Sequence, residues 1–141
     1  MSASERSTLP IGTQAEAAFT VQDGDTARAL SIAPGDDFPP VFATSRMIAL
    51  MELAAARAMR PLLRPGELSV GVEISVRHTA ATPVGGAVRA VATYLGQDGK
   101  MHRFKLEAFD DAGAVGEGTH LRAIVNTDRI VAGAERRMTG N

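Results

Sequence analysis

The chain has 141 residues, 45% of them hydrophobic, which is enough for one domain that buries on the order of two-thirds of its unfolded surface. Its 15 basic and 16 acidic residues give a net charge of -1, so no long-range field attracts nucleic acid, and the absence of cysteine excludes disulfides, thiolate zinc sites and cysteine nucleophiles. The three histidines show no metal-ligand spacing and no run of about 18 apolar residues occurs, so we expect a cytoplasmic protein with no metal, cofactor or membrane partner.

The N-terminal part of the chain is predicted to contain one strand and one loop before a long helix. Residues 1–14 are polar and mixed, which predicts a flexible N-terminus. Ala15 to Val21 can form a first strand, and the breaker-rich stretch from Ala33 to Pro40 predicts a loop. No second domain boundary is visible, so we expect one domain at 15–132 and a flexible tail at 133–141.

A helix from Met47 to Leu63 is predicted to carry one acid on its apolar face. At roughly 100° per residue, the apolar residues of this helix form a single stripe, made of Ile48, Met51, Ala55, Met59 and Leu62. Glu52 lies in the middle of that stripe. Because desolvating a carboxylate costs free energy unless it is paired or protonated, Glu52 is predicted to belong to a buried ion pair or to act as a catalytic acid or base.

Four segments after the helix alternate apolar and polar residues, as half-buried strands do, at about 68–80, 86–96, 101–110 and 114–127. One helix followed by four antiparallel strands is what a sheet wrapped around a central helix requires. In the first segment, the row predicted to face the core is Val70, Val72, Ile74 and Val76. His78 continues this row, so it is predicted to face the same compartment as Glu52.

Thr44 stands just before the predicted helix, where a threonine can serve as the N-cap. Projecting the helix back by two turns places Thr44 beside the Glu52 stripe, so its hydroxyl can instead lie at the same pocket as Glu52 and His78. A helix N-terminus also offers backbone N–H groups to a developing oxyanion. A hydroxyl, a carboxylate, an imidazole and free N–H groups are together the parts of an acyl-transfer site.

Four further residues are candidates for binding substrate. Phe38 and Phe42 flank the loop before the helix and can either line an acyl pocket or pack in the core. The backbone N–H of Gly71 is, like the helix start, a candidate oxyanion donor. Arg122 is a candidate as well, although it shares its parity on the last strand with His120 and that parity predicts a solvated face.

Five short segments can be compared with known families, and they read Phe38-Pro-Pro-Val-Phe-Ala-Thr44, Leu50-Met-Glu52, Arg57-Ala-Met59, His78-Thr-Ala-Ala-Thr-Pro83 and Gly118-Thr-His-Leu-Arg122. Together these motifs resemble the fluoroacetyl-CoA thioesterase family of hot-dog-fold proteins. The resemblance implies an α+β hot-dog fold, an antiparallel sheet wrapped around one long central helix, in a homodimer that hydrolyses a short acyl-CoA. It also implies that Thr44, Glu52 and His78 are the catalytic residues.

The positions directly after two of the catalytic residues depart from the family pattern. Ser45 and Arg46 follow Thr44, where the fluoroacetyl-specific enzyme has Gly-Phe. Leu53 follows Glu52, where that enzyme has Trp. These changes leave the chemistry intact and bear on which acyl group is accepted.

The residues leave both the attacking group and the reaction open. In one mechanism His78 is the general base, Glu52 orients and polarises the nucleophile, and Thr44 is either that nucleophile or a donor to the thioester carbonyl. In the other, the Glu52 carboxylate attacks and forms a transient anhydride, and His78 handles water in the second step. Two other functions also fit the scaffold. One is a module that binds acyl-CoA without turnover, and the other is an enoyl-CoA hydratase or dehydratase, which needs an acid and a histidine but no threonine at the helix start.

Overall fold

The computed structural model describes residues 6–140 of the chain. These residues form five strands, which are β1 (Gln14–Thr20), β2 (Glu67–His78), β3 (Ala87–Asp98), β4 (Met101–Asp110) and β5 (Gly113–Asn126). They also form two α-helices, α1 (Thr44–Met59) and α2 (Thr127–Thr139), and three short 3-10 helices at Asp23–Asp25, Ala27–Leu30 and Arg60–Leu62.

The five strands form one antiparallel sheet in the order β1-β3-β4-β5-β2, so β1 and β2 are its edges. Helix α1 packs against one face of the sheet and contacts β1, β2, β3 and β4. This arrangement confirms the predicted α+β hot-dog fold, with an antiparallel sheet wrapped around one long helix. Within the described residues β2 is bonded to β5 alone, so its outer edge carries backbone N–H and C=O groups without strand partners.

Helix α1 buries a face of apolar side chains made of Met47, Leu50, Met51, Ala54, Ala55, Ala58 and Met59. Ile48 is only half-buried, so the predicted stripe is rotated towards Leu50. Glu52 lies at the margin of the buried face, roughly a third of a turn from its centre, and 41% of its side chain is exposed. The prediction that Glu52 is buried in the apolar stripe is therefore wrong.

A bulge in β2 changes which of its residues face α1. Ile74 and Val76 pack against the core, as predicted. The register with β5 shifts between Gly71 and Glu73, and an extra residue in a strand reverses the parity of everything before it. Val72 is consequently 51% exposed, so its predicted place in the core is wrong, and Gly71 faces the helix instead.

The inner face of β5 carries polar side chains. His120 and Arg122 are 2% and 5% exposed, so the predicted solvated face is wrong. The polar row turns inward because β5 lies between β4 and β2 beneath α1, and because the Arg122 guanidinium finds acceptors there. Leu121 and Ala123, on the opposite parity, are only half-buried.

The two ends of the chain bear on the predicted domain limits. The Arg6 guanidinium pairs with the Glu67 carboxylate at the start of β2, with Nη2 2.9 Å from Oε2, while residues 1–5 lie outside the described residues. Helix α2, which the sequence pattern does not predict, spans the expected boundary after residue 132 and buries none of its described side chains. The flexibility of residues 1–14 and 133–141 stays a prediction.

Candidate active site

The hydroxyl of Thr44 lies 2.8 Å from Nδ1 of His78. Thr44 is the first residue of α1 and His78 is the last residue of β2, so the contact joins the helix start to the end of an edge strand. Ala43 occupies the N-cap position and makes no side-chain cap. The N-cap interpretation of Thr44 is therefore wrong. A hydroxyl bonded to an imidazole is the arrangement of a nucleophile and its general base.

The helix start beside Thr44 has free backbone donors. The first N–H to bond the carbonyl of Ala43 belongs to Met47, and the N–H groups of Thr44, Ser45 and Arg46 find no acceptor in the described part of the chain. An alanine in place of a capping side chain costs about 0.5–2 kcal/mol, so stability does not explain this open end. Free N–H groups and the positive end of the helix dipole stabilise an oxyanion.

The surroundings of His78 favour its neutral form. Burial lowers the pKa of His78, and a backbone contact with Ala80 opposes this shift without cancelling it. The Phe42 ring packs edge-on against the imidazole, with 6.0 Å between ring centroids. Nε2 of His78 is buried and has no hydrogen-bond partner among residues 6–140. A neutral imidazole that carries its proton on Nε2 can accept the Thr44 proton at Nδ1.

A cavity of about 310 Å³ lies beside the hydroxyl–imidazole pair. Thr44, His78, Phe42 and residues 79–81 are part of its lining. Phe42 is 1% exposed, so it is both a core residue and a wall of this cavity. Phe38 does not line the cavity and is 44% exposed in the loop before it. The cavity opens widely to solvent, so the acyl group is not enclosed by the residues of one chain.

Glu52 belongs to a second cluster, which is built around the buried guanidinium of Arg122. Nη1 of Arg122 lies 3.2 Å from Oε1 of Glu52 and 3.0 Å from Nε2 of His120. The remaining guanidinium nitrogens donate to the hydroxyl of Ser69 at 3.0 Å and to its carbonyl at 2.9 Å. Burial lowers the pKa of Arg122 and the Glu52 carboxylate opposes that shift, so the carboxylate acts as the counter-ion of a buried cation.

His120 is a member of this cluster that sequence reasoning missed. Its Nδ1 donates to the carbonyl of Glu73 at 2.8 Å, which leaves Nε2 to accept from Arg122. Burial is the largest cause that lowers the pKa of His120, so the neutral ring is favoured. The signal in the sequence was the glycine at 116, which has the same parity on β5 as His120 and Arg122. A Cβ at this position would collide with Met47 of α1, so side chains of this parity face the helix.

Within one chain, the three predicted catalytic residues do not form a single site. The structure brings Thr44 to His78, and it brings Glu52 to Arg122 and Gly71. Eight helical residues correspond to roughly 12 Å along the helix axis, and no hydrogen bond or ion pair among residues 6–140 joins the two clusters. The molecule therefore presents a hydroxyl–imidazole pair and a separate carboxylate–guanidinium pair.

No group of three or more His, Asp or Glu side chains among residues 6–140 is arranged to hold a metal ion. In the same part of the chain, no helix has the length and apolar character needed to cross a membrane.

The chain matches known thioesterases in sequence and in structure. The family model described as fluoroacetyl-CoA-specific thioesterase matches residues 21–128. The fluoroacetyl-CoA thioesterase of Streptantibioticus cattleyicolor is 44% identical over 96 residues, which are 68% of this chain and 69% of that protein. A solved structure of a fluoroacetyl-CoA thioesterase superposes with a TM-score of 0.87 at 37% identity, covering 92% of this chain and 98% of the other. A Thermus thermophilus thioesterase superfamily member superposes with a TM-score of 0.83 at 28% identity, covering 94% and 95%.

Proposed function

Because the chain belongs to the fluoroacetyl-CoA-specific thioesterase family and is an acyl-CoA thioester hydrolase, we propose that it releases short acyl groups of about two to four carbons. The observation that carries this proposal is the 2.8 Å contact between the Thr44 hydroxyl and His78, beside an uncapped helix start. The short acyl group is supported by the family match and by the fluoroacetyl-CoA thioesterase that is 44% identical to this chain. A variant of the related enzyme, 38% identical, has been crystallised with fluoroacetate and CoA, so fluoroacetyl-CoA is the first substrate to test.

Thr44 is the nucleophile of the proposed mechanism. Its oxygen attacks the thioester carbonyl carbon while Nδ1 of His78 takes up the hydroxyl proton. The carbonyl oxygen becomes an oxyanion, which the free N–H groups at the start of α1 stabilise. The carbon–sulfur bond then breaks, His78 returns the proton to sulfur, and CoA leaves as the thiol. A water molecule activated by His78 attacks the resulting ester and releases the free acid.

Glu52 lies too far along α1 to contact Thr44 of its own chain, and its carboxylate is exposed to solvent. Roughly 12 Å of helix separates the two residues within one chain. The carboxylate is 41% exposed and borders a depression whose lining includes Ala49, Leu53 and Ala56. Small side chains on either side of a charged group permit close approach of another chain. We therefore propose that the Glu52 carboxylate completes the site of a neighbouring protomer.

A homodimer supplies the geometry for this sharing. The free edge of β2 is 12 residues long, and its Val72 is 51% exposed, which is typical of a strand that pairs with another chain. Antiparallel pairing of β2 across a two-fold axis between Ile74 and Ser75 sets His78 beside the partner's Gly71. Because Gly71 lies against Glu52, the partner's Glu52 then approaches the hydroxyl–imidazole pair. A homodimer that acts in the cytoplasm is part of this proposal.

Thiol release from a panel of acyl-CoAs tests the proposed hydrolysis. The chain has no cysteine, so a thiol dye reports free CoA alone. We expect release from acyl-CoAs of about two to four carbons, and a loss of at least about 100-fold in the Thr44→Ala variant. Folded protein that binds these acyl-CoAs but releases no thiol would overturn the proposal and favour a binding module. Disappearance of an enoyl-CoA double bond without thiol release would favour a hydratase.

Mixed dimers test whether the site is shared. Homodimers of Thr44→Ala and of Glu52→Gln should both be inactive. If Glu52 acts across the interface, the mixed dimer of these two variants has one intact site and should recover about half of the parent rate per dimer. If Glu52 acts within its own chain, both sites of the mixed dimer are defective and no activity returns. A mixed dimer of Thr44→Ala with His78→Ala is the control, and it should stay inactive in either case.

A further inference from the structure

The carboxylate of Asp25 is tied to the first turn of α1 by Arg46. Asp25 is 7% exposed and lies in the 3-10 turn that follows β1. Its Oδ1 accepts hydrogen bonds from Nε and Nη2 of Arg46 at 3.1 and 2.9 Å, and its Oδ2 accepts the N–H of Gln22 at 2.9 Å. The Arg46 side chain is 47% exposed, but its two nitrogens bond one oxygen of a buried carboxylate whose other oxygen is also bonded, so the guanidinium is tied to a fixed acceptor.

The main chain of Asp25 holds the same turn from another direction. Its carbonyl accepts the N–H of Ala43 at 2.9 Å. Ala43 immediately precedes Thr44, and Arg46 follows Thr44 by two residues. Asp25 therefore fixes the chain on both sides of Thr44, through its backbone on one side and its side chain on the other.

This support takes the place of a helix cap. Ala43 has no side chain that can cap α1, and the hydroxyl of Thr44 is engaged with His78. The position of the first turn therefore depends on contacts from outside the helix. The guanidinium of Arg46 also neutralises the Asp25 carboxylate, which would otherwise oppose an oxyanion at the helix start.

We propose that Asp25 and Arg46 are a positioning pair that holds the first turn of α1 in the geometry needed for attack by Thr44. The inference rests on the proposed hydrolysis and identifies two residues that serve it without touching substrate. Misplacement of a reacting group by about 1 Å can cost on the order of 100-fold in rate, so a pair that orders this turn acts on kcat.

The test compares Arg46→Met with Arg57→Met. Arg57 lies on the same helix as Arg46, and its guanidinium donates to the carbonyl of Glu16 in β1 at 2.9 Å. It lies far from Thr44. We expect Arg46→Met to lower kcat by roughly 10- to 100-fold with KM within about threefold of the parent, and Arg57→Met to leave both unchanged. Arg46→Lys keeps the charge and should restore part of kcat. Asp25→Asn combined with Arg46→Met should lose no more than either change alone, because both remove one interaction.

Amide hydrogen exchange at the start of α1 reports on the same pair without turnover. Exchange at residues 44–47 should be faster in Arg46→Met and unchanged in Arg57→Met. Equal kcat losses in the two methionine variants, or a raised KM with unchanged kcat in Arg46→Met, would overturn the positioning role. An inactive parent would contradict the proposed function instead, and the exchange measurement would still decide whether the pair orders the turn.

Discussion

The hydroxyl of Thr44 and Nδ1 of His78 are 2.8 Å apart although 34 positions separate the two residues in the chain. The contact exists because α1 begins where the edge strand β2 ends. A helix start supplies oxyanion donors, and a sheet edge is open to substrate and to a second chain. The relationship between these two residues therefore places a hydroxyl, an imidazole and free backbone N–H groups at one accessible corner of the fold.

Removal of the Thr44 hydroxyl should abolish most turnover. We expect Thr44→Ala to lower kcat/KM by at least about 100-fold, and Thr44→Ser to retain much of it because serine keeps the hydroxyl. Thr79→Ala is the matched control, since Thr79 lines the same cavity without a hydrogen bond to His78. Equal losses in Thr44→Ala and Thr79→Ala, measured by thiol release, would show that the cavity rather than the hydroxyl matters.

The pH dependence of activity should reflect a base whose pKa is lowered from the ordinary value of histidine. Burial lowers the pKa of His78 below its ordinary value of 6.5. We therefore expect kcat/KM to fall on the acid side with a midpoint below 6.5. His78→Ala should lose roughly 10²- to 10⁴-fold in turnover while keeping its fold. A midpoint clearly above 6.5 in the parent protein would contradict a desolvated base.

Stability should also decrease in acid, for a reason shared by three histidines. Burial is the largest cause that lowers the pKa of His78, His102 and His120. As the pH falls below about 6.5, the unfolded chain binds protons at these positions before the folded chain does, so the free energy of unfolding decreases. Urea unfolding at pH 7.5 and pH 5.5 measures the difference. His102→Gln should reduce the dependence on pH, and an unchanged dependence would rule out His102 as a contributor.

Gly71→Ala should impair catalysis through Glu52. A Cβ at Gly71 would collide with Oε1 of Glu52 and lie 3.1 Å from Cε1 of His120, so the carboxylate must move. We expect kcat/KM to fall by at least about tenfold, because a displaced catalytic group is misaligned. Gly24→Ala is the control, since a Cβ there meets nothing within 4 Å. Parent-like activity in Gly71→Ala would show that the Glu52 position is not critical.

The acyl chain-length profile should favour small substrates. The 44% identical relative is a fluoroacetyl-CoA thioesterase, and each methylene that a pocket accepts or rejects is worth ~1–3 kcal/mol. We expect kcat/KM to be highest for about two to four carbons in a series from acetyl-CoA to palmitoyl-CoA. A steady rise with chain length would contradict this profile. Equal values for acetyl-CoA and fluoroacetyl-CoA would remove selectivity for fluorine and leave hydrolysis intact.

Local patterns in the sequence account for the correct predictions about the fold. The period of about 3.6 residues around Met51 and Ala55 is a property of one helix, and the alternation at Ile74 and Val76 is a property of one strand. Such periods report on a segment without knowledge of its neighbours, and they placed the helix and the strands within a few residues. The residues of the hydroxyl–imidazole pair were also identified from sequence, as Thr44 at the helix start and His78 at the end of an apolar row.

The sequence by itself determined one long helix and an antiparallel sheet, and its resemblance to a known family supplied the hot-dog architecture and the candidate groups for acyl transfer. Only the tertiary structure decided which of those groups lie together, because the face on which a side chain lies depends on its neighbours in space. One extra residue at the β2 bulge turned Gly71 towards α1, and Arg122 and His120 face inward, where they find hydrogen-bond acceptors in β2. Glu52 contacts the guanidinium of Arg122 and not the hydroxyl–imidazole pair. Thr44 and Glu52 lie about two turns apart on the same helix, and a rigid helix keeps them at that distance.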